Sequence, residues 1–341
     1  TSKTATIVLV PTHSSNLVSL LVGHALSSIG LPAFIYGAGL NLFDNRWLGF
    51  FMRNLGAYRV DRRKSAPLYK RVLKSYAGMT MEYGYHNLFF PGGTRSRSGM
   101  VEQKLKLGLL GTGLDAYRRN LQSQAKNPDI FAVPCTINYQ LVLEAETLVD
   151  DHLQDVGKSR YIIDDDEFSK PELVFSFVQK LFSLDSPIEV VFGQAMDLFG
   201  NQVSPDVTSI DARVREIDRS RYLLRDGVYV EDAQRDQAFT RELSGCIAKS
   251  YREDTVLGAI HIVSRAAIDL LMLKNPSLDL YRLLRTGGKE ASFSTVDFYR
   301  QVERTQAQLK REQQAGRIRL SGGAKTDNAI ELVNTALRHF A

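Results

Sequence analysis

Short apolar runs, separated by longer amphipathic stretches, dominate the first 192 residues and constrain the fold more than any other feature. Residues 5–10, built on Ile7-Val8-Leu9-Val10, read as a buried strand. Further strands are predicted at Leu31–Tyr36, Ala57–Val60, Asn87–Phe90, Ile130–Val133 with Thr136–Tyr139, and Ile188–Phe192. Between them, helical periodicity predicts Leu17–Ile29 ended by Gly30, then Leu48–Leu55, Ala66–Gly84 and Leu105–Asn120. Strands and helices in alternation bury their apolar faces as packed layers, so the pattern predicts an α/β fold.

The character changes after about Pro205. From Asp211 the pattern is long, charged and helical, through Arg213-Val214-Arg215-Glu216 to Val302–Arg311, and Val256–Leu273 is the most apolar helix. The expected organisation is an α/β domain at 1–205 and a helical C-terminal region at 206–341, and 341 residues supply enough core for both. Two cysteines, Cys135 and Cys246, make no disulfide framework and fit a reducing compartment. There is no run of about 18 apolar residues, so no transmembrane helix is predicted. The chain opens on Thr1, shows no targeting segment, and is expected to be a piece of something longer.

Charge is unevenly spread. The net charge is only +5, but Arg53, Arg59, Arg62, Arg63, Lys64, Lys70, Arg71 and Lys74 crowd one stretch against the single acid Asp61. This is either a phosphate-attracting patch or a solvated helix face. The neighbouring Trp47–Leu55 segment (WLGFFMRNL) suits either a membrane interface or a core helix. The basic stretch lacks the aromatic interleaving that would favour nucleic acid.

Two motifs carry chemistry. His13 follows the first strand and leads through Ser14, Ser15 and Asn16, all good helix N-caps, into the first helix. A neutral imidazole there can act as a general base toward a hydroxyl, or can be merely structural. About eighty residues later, Phe89-Phe90-Pro91-Gly92-Gly93-Thr94-Arg95-Ser96-Arg97-Ser98-Gly99 is a strand running into a glycine turn with two arginines. Glycines admit an anion to the backbone and Arg95 can grip a phosphate with two hydrogen bonds, although a plain turn has the same local signature.

In series with what lies between and beyond, these motifs resemble the glycerolipid acyltransferase family of the His-x4-Asp type, and most of all the bacterial glycerol-3-phosphate O-acyltransferases. The first block is His13-Ser14-Ser15-Asn16-Leu17-Val18 and the second is Gly56-Ala57-Tyr58-Arg59-Val60-Asp61-Arg62. The third is Gly92-Gly93-Thr94-Arg95-Ser96-Arg97 and the fourth Val133-Pro134-Cys135-Thr136-Ile137-Asn138-Tyr139. Each block alone is weak, but four in order are specific, and the resemblance is taken to run on into the helical region.

The resemblance implies a mixed sheet flanked by helices and direct transfer of an acyl group to the 1-hydroxyl of glycerol 3-phosphate, the first step of phospholipid synthesis. Acyl-CoA or acyl-carrier protein is the co-substrate; no cofactor, metal or covalent intermediate is implied. Carried over, His13 is the base; Arg62, Arg95 and Arg97 bind the glycerol phosphate; Gly93, Thr94 and Ser96 shape that site; Pro134 lines the acyl end. The implied location is the cytoplasmic face of the cell membrane, peripherally bound.

Two positions depart from the pattern. Val18 replaces the Asp that orients the histidine in the family, so this version is expected to be impaired; loss of such an Asp in a Ser-His-Asp triad costs about 10⁴-fold in turnover. Gly92 stands where many members carry Glu. The alternatives left open are lysophosphatidate acylation, which the four blocks do not separate well from the first reading, and a catalytically silent homologue that binds acyl-CoA or lipid. Similarity around Leu141–Glu146 and the long helical region favour glycerol 3-phosphate as acceptor. Gly108–Gly113 is glycine-rich but lies in a helical pattern, and Asp164–Glu167 lacks the spacing of a calcium loop. His24 and His86 read as packing or surface residues.

Overall fold

The computed structural model describes residues 4–15, 18–40, 43, 46–61, 63–92, 96, 100–140, 187–279, 282–283 and 292–340. The first strand, β1 (Thr6–Pro11), is buried along its whole length, as a strand covered on both faces must be. Helix α1 (Val18–Ser28) follows. It ends in a Schellman motif, with the Leu31 N–H bonded to the Leu26 carbonyl and the Gly30 N–H to that of Ser27. The motif needs a left-handed residue after the last turn, and Gly30 supplies it at φ 74°.

Next come β2 (Tyr36–Gly39), α2 (Arg46–Asn54), β3 (Ala57–Val60) and α3 (Pro67–Glu82), with a proline suited to the first helical turn. Then follow β4 (Asn87–Leu88), α4 (Leu107–Gln122), β5 (Ile130–Asn138) and β6 (Glu189–Phe192). The sheet order is β4-β1-β5-β6, with β1 parallel to both neighbours. The parallel β2–β3 pair joins the free side of β4 through the Ile35–Asn87 bridge. The architecture is the expected mixed sheet flanked by helices. The strand expected at Leu31–Tyr36 falls instead at Tyr36–Gly39, where a partner, Ala57–Val60, is present to take its hydrogen bonds.

Past β6, helix gives way to short strands: β7 (Gln202–Val203), β8 (Ser209–Ile210), β9 (Glu216–Ile217), β10 (Leu224–Arg225) and β11 (Val228–Tyr229). The helix expected from Asp211 does not form there. The Asp211 carboxylate accepts the backbone N–H groups of Arg213 and Arg215, offering this segment a turn in place of a helix. Helix α5 (Ala233–Glu253) then packs Leu243, Ile247 and Tyr251 into one core with Val8, Val10, Leu110, Leu114 and Ile130.

The chain divides into two compact units. The first comprises residues 1–137, 143–183 and 190–251; the second comprises 138–142, 184–189 and 252–341. Residues 206–251 thus group with the first unit, because the apolar face of α5 is part of its core. In the second unit, β12 (Val256–Leu257) pairs in parallel with β13 (Arg319–Leu320) beside α6 (Ala259–Lys274), α7 (Thr295–Gln314) and α8 (Ala329–Phe340). Ile262, Val302 and Leu332 sit at its centre, fully buried. The helix expected from Val256 starts only at Ala259, since Val256 and Leu257 are drawn into that strand pair. The helical character expected of the C-terminal region holds for this unit.

Candidate active site

His13 stands just past the carboxyl end of β1, the side of an open α/β sheet where ligands bind. The residue before it is fixed twice: the Thr12 N–H donates to the Cys135 carbonyl at 2.9 Å, and the Thr12 hydroxyl accepts the Ile137 N–H at 3.0 Å. Below, the Tyr251 hydroxyl from α5 donates to the Val10 carbonyl at 2.9 Å. The His13 ring stacks on Phe90, centroids 4.2 Å apart and planes 24° from parallel. His13 therefore rises from an anchored strand end, with one ring face covered.

Ser96, the described residue between the two motif arginines, comes back to the same point. Its N–H donates to the His13 carbonyl at 2.7 Å, and its hydroxyl donates to the Met100 carbonyl at 3.1 Å. The base of the loop is closed by the Lys106 N–H on the Pro91 carbonyl at 2.8 Å. Two motifs about eighty residues apart in sequence are thus joined by one hydrogen bond. Pro134 is buried in β5 opposite Val10, below His13 in the strand pair. Its carbonyl accepts the Gly193 N–H, whereas Ala132 on the same edge exchanges both its bonds with Met196. The ring thus sits where the ladder toward β6 is already irregular, and a missing donor is tolerated there.

Arg62, Gly93, Thr94, Arg95 and Arg97 lie outside the described residues, as does the Leu141–Glu146 segment. Val18, the first residue of α1, is fully buried, so the position expected to hold an acid holds a packed methyl pair.

Glu102 was missed by motif reading. It belongs to the loop between Pro91 and Lys106, and one of its carboxyl oxygens, Oε1, occupies space beside Gly92 that a side chain there would need: a Cβ on Gly92 would lie 2.3 Å from it. The His13 N–H donates to the same carboxyl group. Burial pushes the Glu102 carboxyl up to about 7, against the opposing pull of that hydrogen bond. The only sequence signal was indirect: a glycine at 92 with an acid ten residues on.

The surface around the basic stretch is mixed. In α2, Met52 is buried while Phe50 is exposed. On α3, Leu68, Val72, Tyr76 and Met79 face solvent, continued by Tyr83, and Lys70, Arg71 and Lys74 are exposed on the same helix. Among the described residues no helix is long and apolar enough to cross a membrane. His86 is structural: its Nδ1 accepts the Ile7 N–H and its ring lies against Phe34.

Residues 1–138 match the Acyltransferase family model. A glycerol-3-phosphate acyltransferase of Xylella fastidiosa (strain M23) is 34% identical over 148 residues, 42% of this chain and 16% of that protein. One of Haemophilus ducreyi is 32% identical over 180 residues, 52% of this chain and 20% of that protein. One of Pseudomonas syringae pv. tomato is 29% identical over 193 residues, 56% and 21% respectively. The chain thus spans about a fifth of the length of the curated relatives it matches, and these matches cover about half of it.

Proposed function

We propose, from the match of residues 1–138 to the Acyltransferase family model and the similarity to glycerol-3-phosphate acyltransferases, that this chain carries the transfer site of a glycerol-3-phosphate O-acyltransferase. The supporting observation is the 2.7 Å hydrogen bond from Ser96 to the His13 carbonyl, which ties the candidate base to the arginine turn. In this reading His13 takes the proton of the acceptor's 1-hydroxyl as its oxygen attacks the thioester carbon of acyl-CoA or acyl-carrier protein. The C–O bond forms, the C–S bond breaks, and the departing thiolate receives the proton from His13. Arg62, Arg95 and Arg97 hold the acceptor's phosphate, with Gly93, Thr94 and Ser96 shaping its seat, while Pro134 borders the acyl chain.

Val18 makes this version slow. The imidazolium formed during attack has no carboxylate from that position to stabilise it, and valine cannot fix the ring. Release of free thiol from palmitoyl-CoA with glycerol 3-phosphate tests the reading on this chain and on Val18→Asp. The expected result is turnover that rises on the order of 10²-fold or more in Val18→Asp. Full turnover with Val18 in place contradicts the impairment. Acyl-CoA binding without transfer in either version identifies a silent binding homologue instead.

The exposed Leu68, Val72, Met79 and Tyr83 with Lys70, Arg71 and Lys74 favour peripheral binding to an anionic bilayer, consistent with a product that enters phospholipid synthesis. Vesicles containing phosphatidylglycerol should float this chain, and Leu68→Glu/Val72→Glu should lose that flotation. Equal flotation by the two versions would remove α3 from the membrane face.

A further inference from the structure

We infer that Glu102 is a positioning residue for His13: its carboxyl fills the space that Gly92 leaves empty and holds the histidine's backbone in place. The catalytic consequence rests on the acyltransferase reading; the seating of the carboxyl does not.

Three observations converge on this side chain. First, Oε1 lies where a Cβ at position 92 would come within 2.3 Å, so the absence of a side chain at Gly92 is what admits the carboxyl group. Second, the group accepts the His13 N–H, on the residue whose carbonyl accepts the Ser96 N–H. The His13 peptide is thus held on its N–H side by Glu102 and on its C=O side by the arginine turn. Third, Oε2 is buried with no hydrogen-bond partner among the described residues. A merely structural acid would be expected to satisfy both oxygens or reach water, since an unsatisfied buried oxygen is destabilising. The cost is understandable where the group serves the geometry of a site.

The surroundings are consistent with this role. Tyr251 reaches the same region from α5 and Cys135 lies near it on β5. Burial, with the Glu102 charge adding to it, holds the Tyr251 phenol well above its ordinary value, so at neutral pH Tyr251 is uncharged. The His13 ring stacks on Phe90 across the same loop. No described cation pairs with Glu102, which leaves the His13 peptide as its described anchor.

Gly92→Ala separates this role from folding. The atoms nearest the new methyl belong to the end of a flexible side chain, so the substitution displaces the Glu102 carboxyl first. The test is a double-mutant cycle of Gly92→Ala and Glu102→Ala, since Gln would keep both the volume and a hydrogen-bond acceptor, with two readouts. In the first, the carboxyl resonance of Glu102, identified by its loss in Glu102→Ala, is followed with pH in ¹³C-glutamate-labelled protein. It should titrate near 7 in the unaltered chain and closer to the ordinary glutamate range in Gly92→Ala. In the second, thiol release is measured in the Val18→Asp background. Each change alone should lower kcat about 10²-fold with the KM for glycerol 3-phosphate little altered, and the pair should cost no more than either.

Additive losses in the cycle, or a Glu102 titration that Gly92→Ala leaves in place, would overturn the inference. The two readings fail separately. If no version transfers acyl groups but the resonance moves as described, the proposed chemistry is wrong while the seating of Glu102 beside Gly92 holds.

Discussion

The contact between α4 and α5 and the loop around His13 each bury an ionisable side chain, and they treat it oppositely. On α4, Arg118 is only 4% exposed and meets three carboxylates: Asp236 at 3.0 Å, with Asp115 and Glu231 at 3.2 Å. Its charge is fully compensated, and the network ties α5 to the sheet's covering helix. In the His13 loop, Glu102 is largely removed from water with a backbone N–H as donor and no described cation. Arg118 is what a fold does with a charge it needs for structure. The carboxyl of Glu102, held near neutrality, is what a fold tolerates where geometry matters more than stability.

That contrast can be broken by mutation, most forcefully at Arg118. Replacing it with alanine leaves the half-buried Asp236 carboxylate with Arg235 alone, and should destabilise the first unit by about 1.5–3 kcal/mol in denaturant unfolding. A loss under about 1 kcal/mol would mean that the network is no more than a surface ion pair.

Glu102 should behave in the other direction. Its carboxyl is raised in the folded chain from 4.5 to about 7, chiefly by burial. The contribution it makes to stability is therefore fully present below about pH 4.5 and is lost as pH rises through about 7. Glu102→Gln should flatten the fall in stability between those values and leave the protein slightly more stable at pH 8. A variant whose stability falls as steeply as the parent's would show that Glu102 is not the group responsible.

Much of the fold is legible locally, because local chemistry decides it. The apolar run at Ile7–Val10 has to be a covered strand, Gly30 has to end a helix, and Pro67 suits only the start of one. What the local pattern hides is decided at a distance. Val256 and Leu257 look helical until Arg319 and Leu320 offer a strand to pair with. Residues around Arg213 look helical until the Asp211 carboxylate captures their N–H groups.

The same division runs through the candidate site. His13 and Ser96 are readable from motifs in series, but the bond between them is not, and Arg62, Gly93, Thr94, Arg95 and Arg97 lie outside the described residues. Glu102 belongs to no motif; it is visible only once the space above Gly92 has a shape.

If His13 is the base of an acyl-transfer site, its removal must slow transfer severely. That consequence is tested most directly by thiol release in the faster of this chain and Val18→Asp, with and without His13→Ala. A loss on the order of 10²–10⁴-fold is expected, with the fold intact by circular dichroism. Turnover that survives His13→Ala unchanged would contradict the assignment.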